Sequence, residues 1–231
     1  MSDTALAVLM RWPQLGVGKS RLARQVGVEA AHRLHCAFVA DTLAWRAPRP
    51  RVLAVAPGES AVLHARVAAP DAVVVAQAPG DLGRRIAAAL RIALRGGARR
   101  VVLVGTDSPS LPHRLLTSCI DLSRRGGAAM VPAEDGGFVA LAVEASLIAR
   151  CGLRWLERGI EWSTERTAAQ TIAGARAAGL DPRCTAPWYD VDDSAALDRL
   201  STDLRIAAGR APRTLRCLEM LGMVPALERV S

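Results

Sequence analysis

The chain has 231 residues, of which 51% are hydrophobic and 23% are charged. This balance is typical of a globular protein, and it excludes a disordered acidic tail or a low-complexity scaffold. The longest purely apolar runs, at residues 5–10 and 138–143, have only six residues each. A bilayer span needs about 18, and the N-terminus lacks the basic region of a secretory signal. We therefore expect a soluble, cytoplasmic protein without a membrane span.

Lysine and arginine together number 30 against 22 aspartates and glutamates, which gives a net charge of +8. Lys19 is the sole lysine, and the arginines are scattered along the chain. Aromatic residues make up only 3%, whereas nucleic-acid sites combine clustered basic residues with aromatic stacking platforms. A small phosphate-bearing ligand accounts for the charge equally well, and we expect no nucleic-acid partner.

Short apolar runs alternate along the chain with longer stretches of helical period. The predicted strands are residues 5–10, 51–56, 72–77, 101–104, 128–132 and 137–144. Between the third and fourth of them, an apolar residue recurs every four positions from Leu82 to Leu94, which predicts a helix with one apolar stripe. Strands that are apolar on both faces and separated by such helices predict a three-layer α/β/α fold with a mostly parallel sheet. Such sheets bind ligands in the loops at the carboxyl ends of their strands.

The last third of the chain is predicted to be mainly helical. Residues 164–178 favour a helix that begins near Ser163, and Asp193 or Ser194 is expected to cap another. The tail over 201–231 has a helical composition with breaks at Pro212 and Pro225. No linker or repeat separates a second domain, so we expect a single domain over 1–205 with 206–231 as its C-terminal helical extension.

The loop after the first strand combines glycines with positive charge. Gly16 and Gly18 allow a close approach of backbone to an anion, and Arg11, Lys19 and Arg21 add cationic side chains. This composition suits phosphate binding. A true P-loop would need glycine at position 13, where proline removes a backbone donor, and the alternative for Lys19 is an ordinary surface residue.

Carboxylates follow the fourth strand and recur near residue 190. Asp107 directly after a buried strand is placed to hold Mg²⁺ against nucleotide phosphates, or else it belongs to a simple turn. In an extended segment Asp190 and Asp192 would share one face and could complete a metal site. The alternative is that these acids cap a helix, which suits Asp193 better than Asp192.

Two further loops that contain acidic residues can be interpreted either as functional or as purely structural. Glu134 and Asp135 precede two glycines, so that either one acid serves an acceptor as a base or binding group, or the segment is a tight turn alone. Asp81 opens the amphipathic helix, either as part of a site or as an ordinary N-cap.

Taken together, six motifs follow one another in a recognisable order. They are Pro13-x-x-Gly16-x-x-Lys19-Ser20-Arg21-Leu22, Gly80-Asp81-Leu82-Gly83, Gly105-Thr106-Asp107-Ser108-Pro109-x-Leu111-Pro112, Glu134-Asp135-Gly136-Gly137, Trp162-Ser163-Thr164 and Trp188-Tyr189-Asp190-Val191-Asp192. Over roughly residues 5–200 the chain thereby resembles the bacterial GT-A-like transferase family labelled radical-SAM-associated glycosyltransferase. The resemblance implies a nucleotide-diphospho-sugar transferase fold, related more distantly to 2-phospholactate and molybdenum-cofactor guanylyltransferases.

The resemblance also implies a role for each motif. On that resemblance Asp107 and Asp192 are expected to bind Mg²⁺ or Mn²⁺. We further expect Lys19 and Asp135 to act as catalytic groups, with Asp135 as the acid on the acceptor side. The residues expected to bind the nucleotide are Arg11, Gly16, Gly18, Lys19, Ser20, Arg21, Gly80, Asp81, Gly83 and Thr106. The residues expected on the acceptor side are Glu134, Asp135, Gly136, Gly137 and Trp162.

Three functions are compatible with these motifs. The leading hypothesis is Mg²⁺-dependent glycosyl transfer from a nucleoside-diphosphate sugar to a small acceptor. Its rival is nucleotidyl transfer, in which an acceptor attacks a nucleoside triphosphate and pyrophosphate leaves. A non-catalytic nucleotide-sensing or partner-binding domain is the third. The base, the sugar, the acceptor, the stereochemical outcome and the oligomeric state stay open.

Overall fold

The computed structural model describes residues 3–45, 48 and 51–224. They form two compact units whose segments alternate along the chain: residues 3–12, 48, 51–105 and 112–189 make the first unit, and residues 13–45, 106–111 and 190–224 make the second. Neither unit is one continuous stretch of sequence. The expected extension over 206–231 stays a prediction, and Pro225 and the residues after it lie outside the described residues.

The first unit contains a seven-stranded sheet. Its strands are β1 (Thr4–Arg11), β2 (Arg51–Ala56), β3 (Val73–Ala76), β4 (Arg100–Val104), β5 (Ala128–Pro132), β6 (Phe138–Glu144) and β7 (Arg183–Cys184). They lie in the order β3-β2-β1-β4-β6-β5-β7, and among the described strands β6 alone runs antiparallel to its neighbours. The prediction of a mostly parallel sheet is confirmed, whereas β7 was not predicted because its two exposed residues carry no apolar pattern.

Helices connect the strands and form the second unit. They are α1 (Ser20–Val26), α2 (Val28–Ala44), α3 (Gly58–Ala68), α4 (Leu82–Arg95), α5 (His113–Gly126), α6 (Ala145–Cys151), α7 (Thr167–Ala177), α8 (Ser194–Ile206) and α9 (Pro212–Met220). In the part of the chain that the structure describes, no helix has the length and hydrophobicity needed to cross a membrane.

The first unit places helices on both faces of its sheet. The connection β2-α3-β3 leads outward along the sheet and β3-α4-β4 leads back, so right-handed crossovers put α3 and α4 on opposite faces. The predicted stripe of α4 faces the sheet, where Ile86 and Leu90 are buried against Ala7, Val101 and Leu103. The three-layer α/β/α arrangement expected from the sequence is confirmed.

One predicted helix begins later than expected. α7 starts at Thr167 rather than at residue 164. The residues before it form a turn in which Ser163 has a left-handed φ of 64° and the Thr164 hydroxyl donates to the carbonyl oxygen of Glu161. This local hydrogen bonding competes with the helix, as is common for Ser and Thr.

The second unit packs α2 against α9, and α9 in turn against α8. Asp193 is the N-cap of α8, and its carboxylate accepts a hydrogen bond from the amide of Ala196 at 2.9 Å. Pro212 occupies the first turn of α9, where a missing amide proton costs nothing. The predicted cap at Asp193 and the predicted break at Pro212 are both confirmed.

Asp41 on α2 caps α9 across the unit. Its buried carboxylate accepts hydrogen bonds from the amides of Arg213 at 3.1 Å and Thr214 at 2.7 Å. Those amides belong to the first turn, which has no intrahelical acceptors, and the N-cap residue Ala211 has no side-chain oxygen to supply one.

We therefore expect Asp41→Ala to lower the free energy of unfolding by about 2 kcal/mol, because two amide donors of the first turn lose their acceptor. Urea unfolding followed by circular dichroism measures this loss. Asp198→Ala, which removes an exposed carboxylate from α8, is the control and should stay within about 0.5 kcal/mol of the wild type. Equal stability of the two variants would contradict the capping role.

Candidate functional site

An ion cluster in the second unit joins three of the residues that the sequence singled out. Lys19 Nζ lies 2.9 Å from Oδ1 of Asp107 and 2.9 Å from Oδ1 of Asp192. It also donates to the main-chain oxygen of Val191 at 2.6 Å. A lysine ammonium has three N–H donors, so these three acceptors match its full hydrogen-bonding capacity.

The loop before α1 gives Lys19 an unusual backbone. Lys19 has φ 47° and ψ 35°, the left-handed conformation that non-glycine residues rarely adopt. The chain reaches it through Gly16 and Gly18, whose φ angles are +75° and +77°. A strained residue persists only where its surroundings over-determine it, and here the contacts of the side chain supply that constraint.

Further hydrogen bonds hold the acidic segments in place. The amide of Val191 donates to the main-chain oxygen of Asp107 at 2.8 Å, which joins the two carboxylate-bearing segments directly. The amide of Ser194 donates to Oε1 of Gln25 at 2.6 Å, which ties the start of α8 to α1. The buried ring of Phe38 lies 5.6 Å from the Lys19 ammonium, within the range of a cation–π contact.

The three charged groups differ sharply in exposure. The Lys19 side chain is 6% exposed, whereas Asp107 and Asp192 are 49% and 46% exposed. Burial lowers the pKa of Lys19, but the Asp107 and Asp192 carboxylates outweigh burial and raise that pKa above its ordinary value. Lys19 is therefore a charged group at neutral pH, and it lies on the buried side of a solvent-facing carboxylate pair.

The carboxylate pair suits a divalent cation that arrives with phosphates. In the described residues no three His, Cys, Asp or Glu side chains are grouped so as to hold a metal by themselves. Mg²⁺ in nucleotide sites is commonly bound by only one or two carboxylates together with substrate phosphates. Asp107 and Asp192, drawn to one ammonium and each half exposed, fit that pattern.

The other predicted phosphate-binding residues of this loop are exposed to solvent. Arg11 is the last residue of β1, in the first unit, and Ser20 and Arg21 open α1 in the second. A hypothetical Cβ on Gly16 would meet no atom within 4 Å, so the backbone there faces open space. Thr106, directly before Asp107, is buried.

The second unit also contains a cleft of about 210 Å³, a volume that includes its open mouth. Gly16, Gly18 and Lys19 line one side of it, and His32 and His35 of α2 line another. These histidines were not predicted as site residues, because two histidines without a third ligand predict no metal centre.

The Gly80–Gly83 motif belongs to the first unit and has a structural explanation there. Asp81 caps α4 through a hydrogen bond from the amide of Arg84 at 2.9 Å. A Cβ on Gly83 would lie 1.8 Å from the main-chain oxygen of Leu156 and 2.9 Å from the ring of Trp162. Helix capping and close packing account for these residues, and their part in nucleotide binding, like that of Gly80, stays a prediction.

The acidic turn after β5, also in the first unit, is a tight turn. Oδ1 of Asp135 accepts a hydrogen bond from the amide of Gly137 at 2.9 Å. Gly136 has a φ of +90°, and a Cβ there would lie 2.1 Å from the main-chain oxygen of Glu165. Glu134 and Asp135 are exposed, and their acceptor role stays a prediction.

Trp162 is the remaining residue predicted on the acceptor side. Its ring meets the ring of Phe138 edge to face, with the two centroids 6.2 Å apart, and it packs beside Gly83. These contacts make Trp162 part of the apolar cluster beside the sheet, and its part in acceptor binding stays a prediction.

Comparisons with known proteins place the chain in a family. Residues 39–164, more than half of its length, match the family described as "Uncharacterized protein conserved in bacteria (DUF2064)". The chain belongs to the DUF2064 family. No curated protein matches it in sequence.

Solved structures relate this DUF2064 protein to nucleotide-dependent transferases. A protein of Desulfovibrio desulfuricans G20, provisionally described as a nucleotide-diphospho-sugar transferase, is 27% identical over 97% of both chains with a TM-score of 0.86. A cytidylyltransferase from Leptospira borgpetersenii is 13% identical over 96% of this chain and 94% of the other, with a TM-score of 0.56. A CMP:2-keto-3-deoxy-manno-octonic acid synthetase is 12% identical over 90% of this chain and all of the other, with a TM-score of 0.51.

These similarities confirm the nucleotide-diphospho-sugar transferase fold that the resemblance implied. They support the superfamily, and they give no support to the radical-SAM association of the resembled family.

Lys19, Asp107 and Asp192 of this DUF2064 protein were each predicted from the sequence, but their direct contact was not. The lysine was predicted to contact phosphates, whereas its ammonium contacts the two carboxylates and Val191 in the structure. One weak signal in the sequence set Lys19 apart, because it is the sole lysine in a chain that otherwise uses arginine for its permanent positive charges.

Proposed function

We propose that this DUF2064 protein is a Mg²⁺-dependent transferase that passes a glycosyl group from a nucleoside-diphosphate sugar to a small acceptor. The observation that supports this most strongly is the pair of half-exposed carboxylates, Asp107 and Asp192, fixed around one buried ammonium. The 27% identity to a protein provisionally described as a nucleotide-diphospho-sugar transferase, over 97% of both chains, points to the same chemistry.

In this proposal each group of residues has a defined task. Asp107 and Asp192 would hold Mg²⁺ or Mn²⁺, which when bound neutralises charge on a diphosphate leaving group. Gly16 and Gly18 present backbone to the phosphates, while Arg11 and Arg21 contribute exposed guanidinium groups, which suit bidentate phosphate contacts. Asp135 is the carboxylate that we assign to the acceptor.

Nucleotidyl transfer is the second candidate. The fold extends to cytidylyltransferases, and the structure of one relative, the synthetase named above, was solved with CTP. Those relatives are only 12–13% identical. Lys19 in its glycine-rich loop would suit a triphosphate at least as well as a sugar diphosphate, but its ammonium already has three acceptors within 2.9 Å. We therefore prefer glycosyl transfer.

The products distinguish the two reactions. Purified protein is incubated with Mg²⁺, the small-molecule fraction of a cell extract as acceptor source, and either nucleoside-diphosphate sugars or nucleoside triphosphates of each base. Phosphorus NMR then follows diphosphate and pyrophosphate. We expect nucleoside diphosphate to be released from a sugar donor without pyrophosphate.

Pyrophosphate release from a triphosphate would instead establish nucleotidyl transfer. Turnover of no donor would favour the non-catalytic alternative. Asp198→Asn, which removes one exposed carboxylate from α8, is the control variant in the same assay. It should release the same products as the wild type.

A further inference from the structure

The ion cluster carries less negative charge than its two carboxylates suggest. Asp107 and Asp192 contribute −2 and the buried Lys19 ammonium contributes +1, so the cluster as a whole has a net charge of −1. Coulomb attraction to a divalent cation scales with that charge, and a cation held by the two carboxylates would also be repelled by the nearby ammonium.

The Lys19 ammonium is held on the buried side of the carboxylate pair, and contacts other than those with the carboxylates help to fix its position. Its shortest contact, 2.6 Å, is to the main-chain oxygen of Val191, and the ring of Phe38 lies 5.6 Å from its ammonium. The left-handed backbone at Lys19 fixes the base of the side chain. The solvent-facing half of each carboxylate is therefore where a second cation could approach.

We propose that Lys19 is an internal counter-cation that makes metal capture by Asp107 and Asp192 depend on nucleotide phosphates. The ammonium offsets half of the carboxylate charge, so the pair alone holds a divalent cation weakly. A nucleotide diphosphate supplies further negative oxygen ligands, and the metal then binds as a complex with it. Lys19 itself makes no phosphate contact. This inference rests on the metal site of the proposed function.

The test is Mn²⁺ binding without nucleotide, measured by electron paramagnetic resonance on the full chain. We expect Lys19→Met to bind Mn²⁺ at least about tenfold more tightly than the wild type, because the opposing charge is gone. The half-exposed carboxylates stay hydrated in this variant, so it should fold. Lys19→Gln keeps polar donors without the charge, and we expect it to raise the Mn²⁺ affinity as well. It replaces Lys19→Met in the test if Lys19→Met does not fold.

Two controls make the result specific. Arg24→Met removes one positive charge from the exposed side of α1, and it should leave Mn²⁺ binding unchanged. Calorimetry with UDP, GDP and CDP in EDTA should give the same affinities for Lys19→Met and the wild type.

Mn²⁺ affinity that is unchanged or weaker in both Lys19 variants would overturn the inference. A tenfold loss of metal-free nucleotide binding in Lys19→Met would make Lys19 a phosphate ligand and would overturn it as well. If the wild type binds no nucleotide with or without metal, the proposed function fails, while the Mn²⁺ comparison still reports on Lys19.

Discussion

The Asp107→Asn variant is expected to release nucleoside diphosphate at least about 100-fold more slowly than the wild type under the same Mg²⁺ concentration. Asparagine keeps the size of the side chain and an oxygen that accepts from Lys19, so the cluster and the fold persist. It removes one of the two charges that hold the cation. Loss of a group that stabilises charge at the reacting centre typically costs this much or more.

Steady-state rates at increasing Mg²⁺ concentrations measure the effect. Partial recovery at high Mg²⁺ would agree with a weakened cation site, and thermal unfolding should show that Asp107→Asn is folded. Asp198→Asn is the matched control and should keep the rate of the wild type. Equal rates for Asp107→Asn and the wild type would remove Asp107 from the site.

The second large effect concerns stability. The double variant Asp107→Ala/Asp192→Ala is expected to lose about 3 kcal/mol of unfolding free energy, because it leaves the nearly buried Lys19 ammonium with Val191 as its only acceptor from the cluster. We take the lower end of the range for broken buried ion pairs, since water reaches the half-exposed carboxylate positions.

Removing the unpaired ammonium of Lys19 should restore the lost unfolding free energy. The triple variant, with Lys19→Met added, is expected to recover most of the lost stability, since methionine packs where an unpaired ammonium cannot. Urea unfolding at neutral pH measures the wild type, the double variant and the triple variant. A triple variant that is no more stable than the double variant would show that the loss has another cause.

The sheet and its main helix could be predicted because burial leaves a periodic pattern in the sequence. β1, β2 and β4 are runs of buried apolar residues, and the stripe from Leu82 to Leu94 repeats with the period of the helix. β7 left no such pattern, since both of its residues are exposed. The predicted start of α7 was wrong because the side-chain hydrogen bonds of Thr164 and Thr167 form a turn that helix propensity does not capture.

The residues of the ion cluster could be selected from the sequence, but the contacts between them could not. The rule that ligands bind after strand ends led to Asp107, and the acidic run near residue 190 led to Asp192. Their contact with Lys19 joins segments far apart in the sequence, so only the folded chain reveals that the ammonium is committed to them. Gly83 and Gly136 show the converse, because the neighbouring backbones that exclude a side chain there also lie far away in sequence.

The most direct test of the proposed metal and nucleotide site is calorimetric titration of the wild-type protein with UDP, GDP, CDP and ADP, each in Mg²⁺ and again in EDTA. We expect that at least one nucleotide binds, and that its affinity falls when Mg²⁺ is withdrawn and in Asp107→Asn. Binding of none of them under either condition would contradict the proposed site, and so would binding that is indifferent to both Mg²⁺ and the Asp107 carboxylate.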